Sequence, residues 1–182
     1  MAGRTRARGD QKDGSDAITA AMAQWSKERP DLDPGPMAVF GRIARIFALQ
    51  RQAQAAVHSP LGLSHAAFDV LANLRRSGAP HRKTATSLAE SSMISTGGVT
   101  FRMDGLEADG LIRRVRDSRD RRVVHAELTA KGLEVIDRAM EDHLAMEHDL
   151  LSCLTATERA QLAKLLAKVE QSLVSRSTDT TA

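Results

Sequence analysis

The sequence predicts a mainly α-helical protein with one small β-wing, a winged helix-turn-helix joined to a helical dimerisation region. Three observations predict it. Residues 84–132 read TATSLAESSMISTGGVTFRMDGLEADGLIRRVRDSRDRRVVHAELTAKG, a short helix, a turn, a longer helix and a hairpin in that order. Six arginines lie from Arg113 to Arg122 against two aspartates, which marks the hairpin as strongly basic. On both sides, apolar residues recur at spacings of three and four, the pattern of helices with one buried stripe.

Taken in order, residues 1–16 form a basic tail expected to be disordered, with Arg4, Arg6, Arg8 and Lys12 against Asp10. Residues 1–12 of that tail account for the whole formal charge of +3, because the rest of the chain balances 22 basic against 22 acidic residues. Residues 17–36 form an N-terminal extension, a helix over Ala17–Glu28 carrying Trp25 and ended by Pro30 and the turn-rich DLDPGP. A longer helix runs from Met37 to about His58, with Phe40, Ile43, Ala44 and Phe47 on one wide stripe. Residues 37–60 and 129–175 together form the expected dimerisation region, and 61–128 the DNA-binding region; 176–182 is a second disordered tail.

Within the DNA-binding region, Ser64 caps a helix to about Arg76 that buries Phe68, Leu71 and Leu74. The first helix of the pair starts at Thr84 or Thr86 and ends at Glu90, with Leu88 and Ala89 inward. Ser95 is suited to cap the second helix, whose Val99, Met103 and Leu106 follow at spacings of four and three. Its outer face presents Ser95, Thr96, Gly97 and Thr100. Gly110 suits the helix end, after which Leu111, Ile112 and Val115 start a strand that Val123, Val124, Ala126 and Leu128 return. Thr129 opens a helix with Leu133, Ile136, Met140, Leu144 and Leu151 on one seam. The last helix begins at Thr155, with Glu158 completing a capping box, and continues through Leu162, Leu165, Leu166, Val169 and Leu173.

This order carries a chemistry. A helix with small polar residues in its first turn can enter the major groove, and an arginine-tipped loop reaches phosphates or the narrow minor groove. The candidate DNA contacts are Ser95, Thr96 and Thr100 on the helix and Arg119, Arg121 and Arg122 on the wing. A charge run is usually only a solvated face. Here it follows a groove-sized helix, and Asp117 and Asp120 interrupt it so that the arginines are braced rather than mutually repelled. Apolar stripes on the first and last helices exceed what so small a lobe can cover, which predicts a two-fold dimer on an inverted-repeat operator.

Other classes fit less well. One cysteine excludes an intramolecular disulfide, no apolar run is long enough to span a membrane, and no signal-peptide core follows the N-terminal arginines, so a cytoplasmic protein is expected. Cys153, between Leu151 and Leu154, reads as a small buried residue, although a thiol sensor would rest on it. Glu141, His143, Glu147 and His148 share a helix, but His148 is off their stripe and no cysteine supports a metal site. No metal and no cofactor are expected. An architectural DNA-coating protein would share the wing, and no phosphate loop, nucleophile elbow or acid-base pair suggests an enzyme.

With LAE, STGG, LEADGLI, RDSRDRR and LTAKG in order, the stretch from Met37 to Leu173 resembles the MarR family of transcriptional regulators. The resemblance implies a homodimer that binds operator double-stranded DNA, usually as a repressor, and is released by a small molecule. It makes Arg119 the minor-groove contact, braced by Asp117 with Arg121 or Arg122. The segment QWSKERPDLDPGPMAVFGRIARI further resembles the PecS and urate-responsive subgroup. That resemblance implies an anionic ligand, urate or another purine or a tricarboxylate, held by Trp25, Asp69, Arg102 and Arg114.

On this reading the anion stacks on the indole and pairs with Arg102, and its charge loosens an Asp69–Arg114 pair present in the unliganded protein. The chain departs from the subgroup at Phe101, where a polar residue is usual, and at Gly105, where arginine is common. Together with Gly97 and Gly98, Gly105 makes three glycines in one helix, each costing about 1 kcal/mol relative to alanine.

Overall fold

The computed structural model describes residues 16–92, 96–118 and 120–179. The chain divides into two compact units at Gln52. In the first, helix α1 (Ala17–Glu28) lies against the start of helix α2 (Met37–His58). Asp16, expected at the end of the tail, instead caps α1 by accepting the Ile18 N–H at 3.0 Å, and its carboxylate also pairs with Arg42 of α2. Arg42 reaches Thr19 as well, at 3.0 Å. Close approach of the two helices depends on Gly41, where a Cβ would stand 2.9 Å from the Ile18 Cδ1 methyl.

The second unit begins within α2, whose end turns through a short 3-10 segment, Ser59–Leu61, into α3 (His65–Arg75). Then come β1 (Arg82–Thr84), α4 (Ala85–Ser92), α5 (Thr96–Ala108), β2 (Ile112–Arg116), β3 (Val124–Leu128), α6 (Ala130–Leu150) and α7 (Ala156–Asp179). The core is drawn from each of the middle elements: Leu71 and Leu74 of α3, Leu88 of α4, Val99, Met103 and Leu106 of α5, Ile112 and Ala126 of the sheet, and Ile136 and Ala139 of α6. These positions match the apolar spacing of the sequence, because a helix buries the side chains that recur on one face.

The sheet has three antiparallel strands in the order β1-β3-β2, one more than the expected hairpin. Strand β1 is only Arg-Lys-Thr, with no apolar alternation to announce it. It is a strand because the free edge of β3 offers it backbone partners, Lys83 lying opposite Ala126. The second helix of the turn motif ends at Gly110, whose φ of +71° is the left-handed conformation that favours glycine.

Helices α5 and α6 meet at one backbone junction. The Leu111 carbonyl accepts the Thr129 N–H at 3.1 Å, and the Thr129 hydroxyl donates to the Gly110 carbonyl at 2.8 Å. The same hydroxyl accepts the Gly132 N–H at 3.0 Å and so caps α6. A Cβ on Gly132 would fall 1.9 Å from the Leu111 carbonyl oxygen.

Toward its far end α6 loses its cover: Ile136 is buried, Leu133 and Met140 pack at the margin, and Leu144 and Leu151 are exposed. Helix α7 has the expected capping box, with Glu158 accepting the Thr155 N–H at 2.8 Å and Thr155 accepting the Glu158 N–H at 3.3 Å. It runs to Asp179, beyond residue 175 where a disordered tail was expected to follow. No described side chain of α7 is buried. Where α2 enters this unit, His58 is fully buried, stacked on Phe68 with ring centroids 4.1 Å apart and 3.2 Å from the His143 imidazole. Burial, reinforced by the neighbouring His143, pushes its pKa below the ordinary histidine value.

Gly132→Ala is expected to destabilise the fold by about 1–3 kcal/mol, because the methyl overlaps a backbone carbonyl that cannot rotate away. Gly41→Ala, which meets only methyls of Ile18, should cost less. Urea unfolding of the two variants measures the difference.

Candidate nucleic-acid interface and ligand cavity

Helix α5 presents its polar face outward because Val99, Met103 and Leu106 hold the other face in the core. Thr100 is exposed, and beside it Phe101 is 79 % exposed. Thr96 is the first residue of the helix. Ser95 and Arg119 lie outside the described residues.

The wing arginines divide into two groups. Arg113 pairs across the strands with the buried Glu127 at 2.5 Å. Arg114 is clamped between two carboxylates of α5, Asp104 at 2.5 Å and Glu107 at 3.0 Å, and the Asp104 bond raises its pKa further. Arg113 thus ties β2 to β3, and Arg114 fastens the wing to α5. Arg116, Arg121 and Arg122 remain exposed.

The aspartates shape the turn between the strands. Asp117 accepts the Asp120 N–H at 3.2 Å and lies 3.1 Å from the His125 imidazole, while Asp120 accepts the Arg122 N–H at 3.0 Å. Among the described residues these contacts of Asp117 run to His125 and a backbone amide, and the expected ion pair with Arg121 or Arg122 is not among them. An Asp side chain two residues from an amide makes an Asx turn, so the acids fix the loop that carries the basic residues.

A cavity of about 350 Å³ opens between α3, α4 and α6. Phe68, Ala72 and Met140 give it an apolar wall, and Asp69, Asn73, Arg76 and Ser91 line the rest. Asn73 is the buried polar member. Its amide donates to the Ser91 hydroxyl at 2.7 Å and its carbonyl accepts the Lys83 ammonium at 2.7 Å, so one side chain ties α3 to α4 and to β1. The Ser91 hydroxyl in turn donates to the Ser87 carbonyl within α4 at 2.7 Å.

Of the four expected ligand residues, the structure places Asp69 in this cavity. The expected Asp69–Arg114 pair does not form: Arg114 is held by Asp104 and Glu107, and Asp69 lies 3.3 Å from His65, one turn earlier on its own helix. Local pairing wins because the i, i+4 spacing brings those two side chains together without further ordering. Arg102 is half-buried, and its Nη1 is shielded from solvent with no hydrogen-bond partner among the described residues; neither it nor Arg114 lines the cavity. The cation that does is Arg76. Trp25, in the first unit, is half-exposed.

Neither Asn73 nor Arg76 is among the ligand residues that the family resemblance implies. The available signal for Asn73 was an amide set among Val70, Leu71 and Leu74 on a buried stripe. Cys153 is exposed, against expectation, because it falls in the turn after α6 rather than on a packed face. His143 and Glu147 of the acidic-histidine stripe lie 3.3 Å apart. Among the described residues no group of three or more metal-ligating side chains converges, and no helix is long and apolar enough to cross a membrane.

A helix-turn-helix backed by a three-stranded wing with outward arginines defines a winged-helix DNA-binding protein. The MarR family model matches residues 63–124, from the start of α3 to the return strand of the wing. The chain is also 40% identical over 157 residues to the HTH-type transcriptional regulator PecS of Dickeya dadantii, spanning 86% of this chain and 95% of that one. It belongs to the MarR family and is a DNA-binding transcriptional regulator, not an enzyme.

Two solved structures show the same fold. A cysteine-to-serine mutant of MarR from E. coli, in complex with operator DNA, aligns with a TM-score of 0.64 at 24% identity, over 80% of this chain and 96% of that one. BpsR of Bordetella bronchiseptica, whose DNA binding is regulated by 6-hydroxynicotinic acid, aligns with a TM-score of 0.64 at 22% identity, over 72% and 92%.

Asn73→Ala should cost about 1–3 kcal/mol, since it removes the buried amide that accepts from the Lys83 ammonium and donates to the Ser91 hydroxyl. Thermal unfolding measures the loss. An unchanged midpoint would remove Asn73 as the tie between α3, β1 and α4.

Proposed function

We propose that this protein is a homodimeric repressor in which α5 enters the major groove, the wing reaches the adjacent groove or backbone, and a small anionic ring compound releases the DNA. The cavity supports this reading most directly: its lining includes Ser91, on the first helix of the helix-turn-helix, together with α3 and α6. An occupant there competes for the polar groups that hold α4, and so acts on the geometry the operator requires.

The lining also narrows the ligand. Arg76 offers a guanidinium fork to an anionic oxygen, while Asp69 calls for a donor on the same molecule. A purine anion such as urate carries both, with apolar faces for Phe68 and Met140. A tricarboxylate would set further negative charge against Asp69. The regulator of BpsR is likewise a small ring with an acidic group. The trigger on this reading is the Asn73–Ser91–Lys83 cluster rather than an Asp69–Arg114 pair.

Dimerisation follows from uncovered apolar surface. On α7, Leu162, Leu165, Leu166 and Leu173 are all exposed in the single chain, as are Phe40, Ile43 and Phe47 on α2. Contiguous apolar faces of this extent mark an interaction surface. Two copies related by a two-fold axis present two α5 helices to major grooves about 34 Å apart, which reads an inverted repeat.

DNA release should be driven by urate or xanthine in a panel that also contains trans-aconitate, citrate, salicylate and zinc. Arg76→Ala should raise the concentration needed by about tenfold, equivalent to about 1.4 kcal/mol of lost ion pairing. Identical release curves for the two proteins would place the anion elsewhere. In sedimentation the wild type should remain dimeric on dilution, whereas Leu166→Glu should dissociate because its carboxylate would be buried without a partner. A folded wild-type monomer at low concentration would sink the dimer.

A further inference from the structure

Phe101 has the most exposed large apolar side chain among the described residues, at 79 %. It stands on the outer face of α5 next to Thr100, between the buried Val99 and Met103. On a helix the neighbours that flank a side chain are those three and four residues away. For Phe101 these are Gly97 and Gly98 on one side and Asp104 and Gly105 on the other. Asp104 is turned to Arg114 of the wing. The ring therefore projects from a strip that is almost bare backbone.

The fold itself does not call for that bareness at Gly105. A Cβ built there meets nothing within 4 Å, so no neighbour requires glycine, and the backbone has no positive φ at this position. Glycine inside a helix still costs about 1 kcal/mol relative to alanine. An exposed phenyl ring beside such a strip is a cost without return within the chain. The return lies with a partner that approaches the helix backbone closely and has an apolar group to cover the ring.

The major groove contains one such group. Beside the hydrogen-bond donors and acceptors of the base edges there, the one apolar group larger than a ring C–H is the 5-methyl of thymine. Phenylalanine cannot satisfy a donor or acceptor, so packing it on a guanine or adenine edge would desolvate polar atoms without compensation. Packing on the methyl removes apolar surface from water on both sides.

We propose that Phe101 is a specificity-determining DNA contact that packs against a thymine methyl in each operator half-site, with the glycine strip of α5 admitting the base edges to the helix backbone. The proposal rests on the reading of α5 as the helix that enters the major groove. It assigns the base preference of this face to an apolar contact.

Replacing thymidine by deoxyuridine deletes the methyl and nothing else. The test uses the full-length protein and a duplex selected by it from a randomised pool, with each thymidine replaced singly. Wild type should lose about fourfold in affinity at one position per half-site, the effect of one buried methyl group. Phe101→Ala should be indifferent at that position while unfolding at the wild-type temperature, since the ring supports no core contact.

A wild type indifferent to every deoxyuridine, a selected site without thymine in the half-sites, or a Phe101→Ala protein that pays the same penalty would each overturn the proposal. Substitution by 7-deazaguanine, which deletes a major-groove acceptor, separates the two levels. Sensitivity to it alongside any of those results leaves α5 in the groove and removes only the Phe101 contact. Insensitivity to both substitutions overturns the groove-entering helix as well.

Discussion

The arrangement depends on the junction where the Leu111 carbonyl meets the start of α6. Three elements converge there: Gly110 ends α5 in a left-handed turn, Leu111 leads into the wing, and Thr129 closes the hairpin and caps α6 with one hydroxyl. Gly132 is what lets them meet, because any side chain at that position would occupy the space of the carbonyl oxygen. Helix α5, the wing and α6 are therefore joined at this point by hydrogen bonds of the backbone and the Thr129 hydroxyl, in addition to the core they share.

Electrostatics organise the wing in two layers. At its base, Arg113 joins the two strands through Glu127, and Arg114 ties β2 to α5 through Asp104 and Glu107. At its tip, Asp117 and Asp120 turn oxygens to backbone amides and His125, and Arg121 and Arg122 are exposed. The net charge of a run does not distinguish these roles. The partner of each arginine does. A similar division applies to the cavity, where Asn73 holds the structure together and Arg76 and Asp69 face the open volume.

Helix positions were legible in the sequence wherever apolar residues recur at helical spacing and a capping residue stands at the start. Thr129, Thr155 and Ser64 all act as expected, each accepting an amide that the first turn leaves unpaired. Strand β1 was not legible, since three polar residues become a strand only through the edge they meet. Nor was the partner of Asp69, which family resemblance assigned to Arg114 and which geometry gives to His65. Charged pairs are chosen by which side chains the fold brings within reach, and an arginine with two nearer carboxylates has no need of a third.

The sequence by itself determined the local features: the helices, the turn at Gly110, the basic hairpin and the membership in a family of DNA-binding regulators. These depend on interactions among residues a few positions apart, which spacing and residue type express directly. Only the tertiary structure decided that Asn73 binds α3 to both α4 and β1, that Arg76 rather than Arg102 lines the cavity, and that Phe101 stands uncovered on a glycine strip. The physical reason is that burial and side-chain pairing depend on distances between segments remote in sequence, and periodicity records which face a residue occupies but not what lies opposite it.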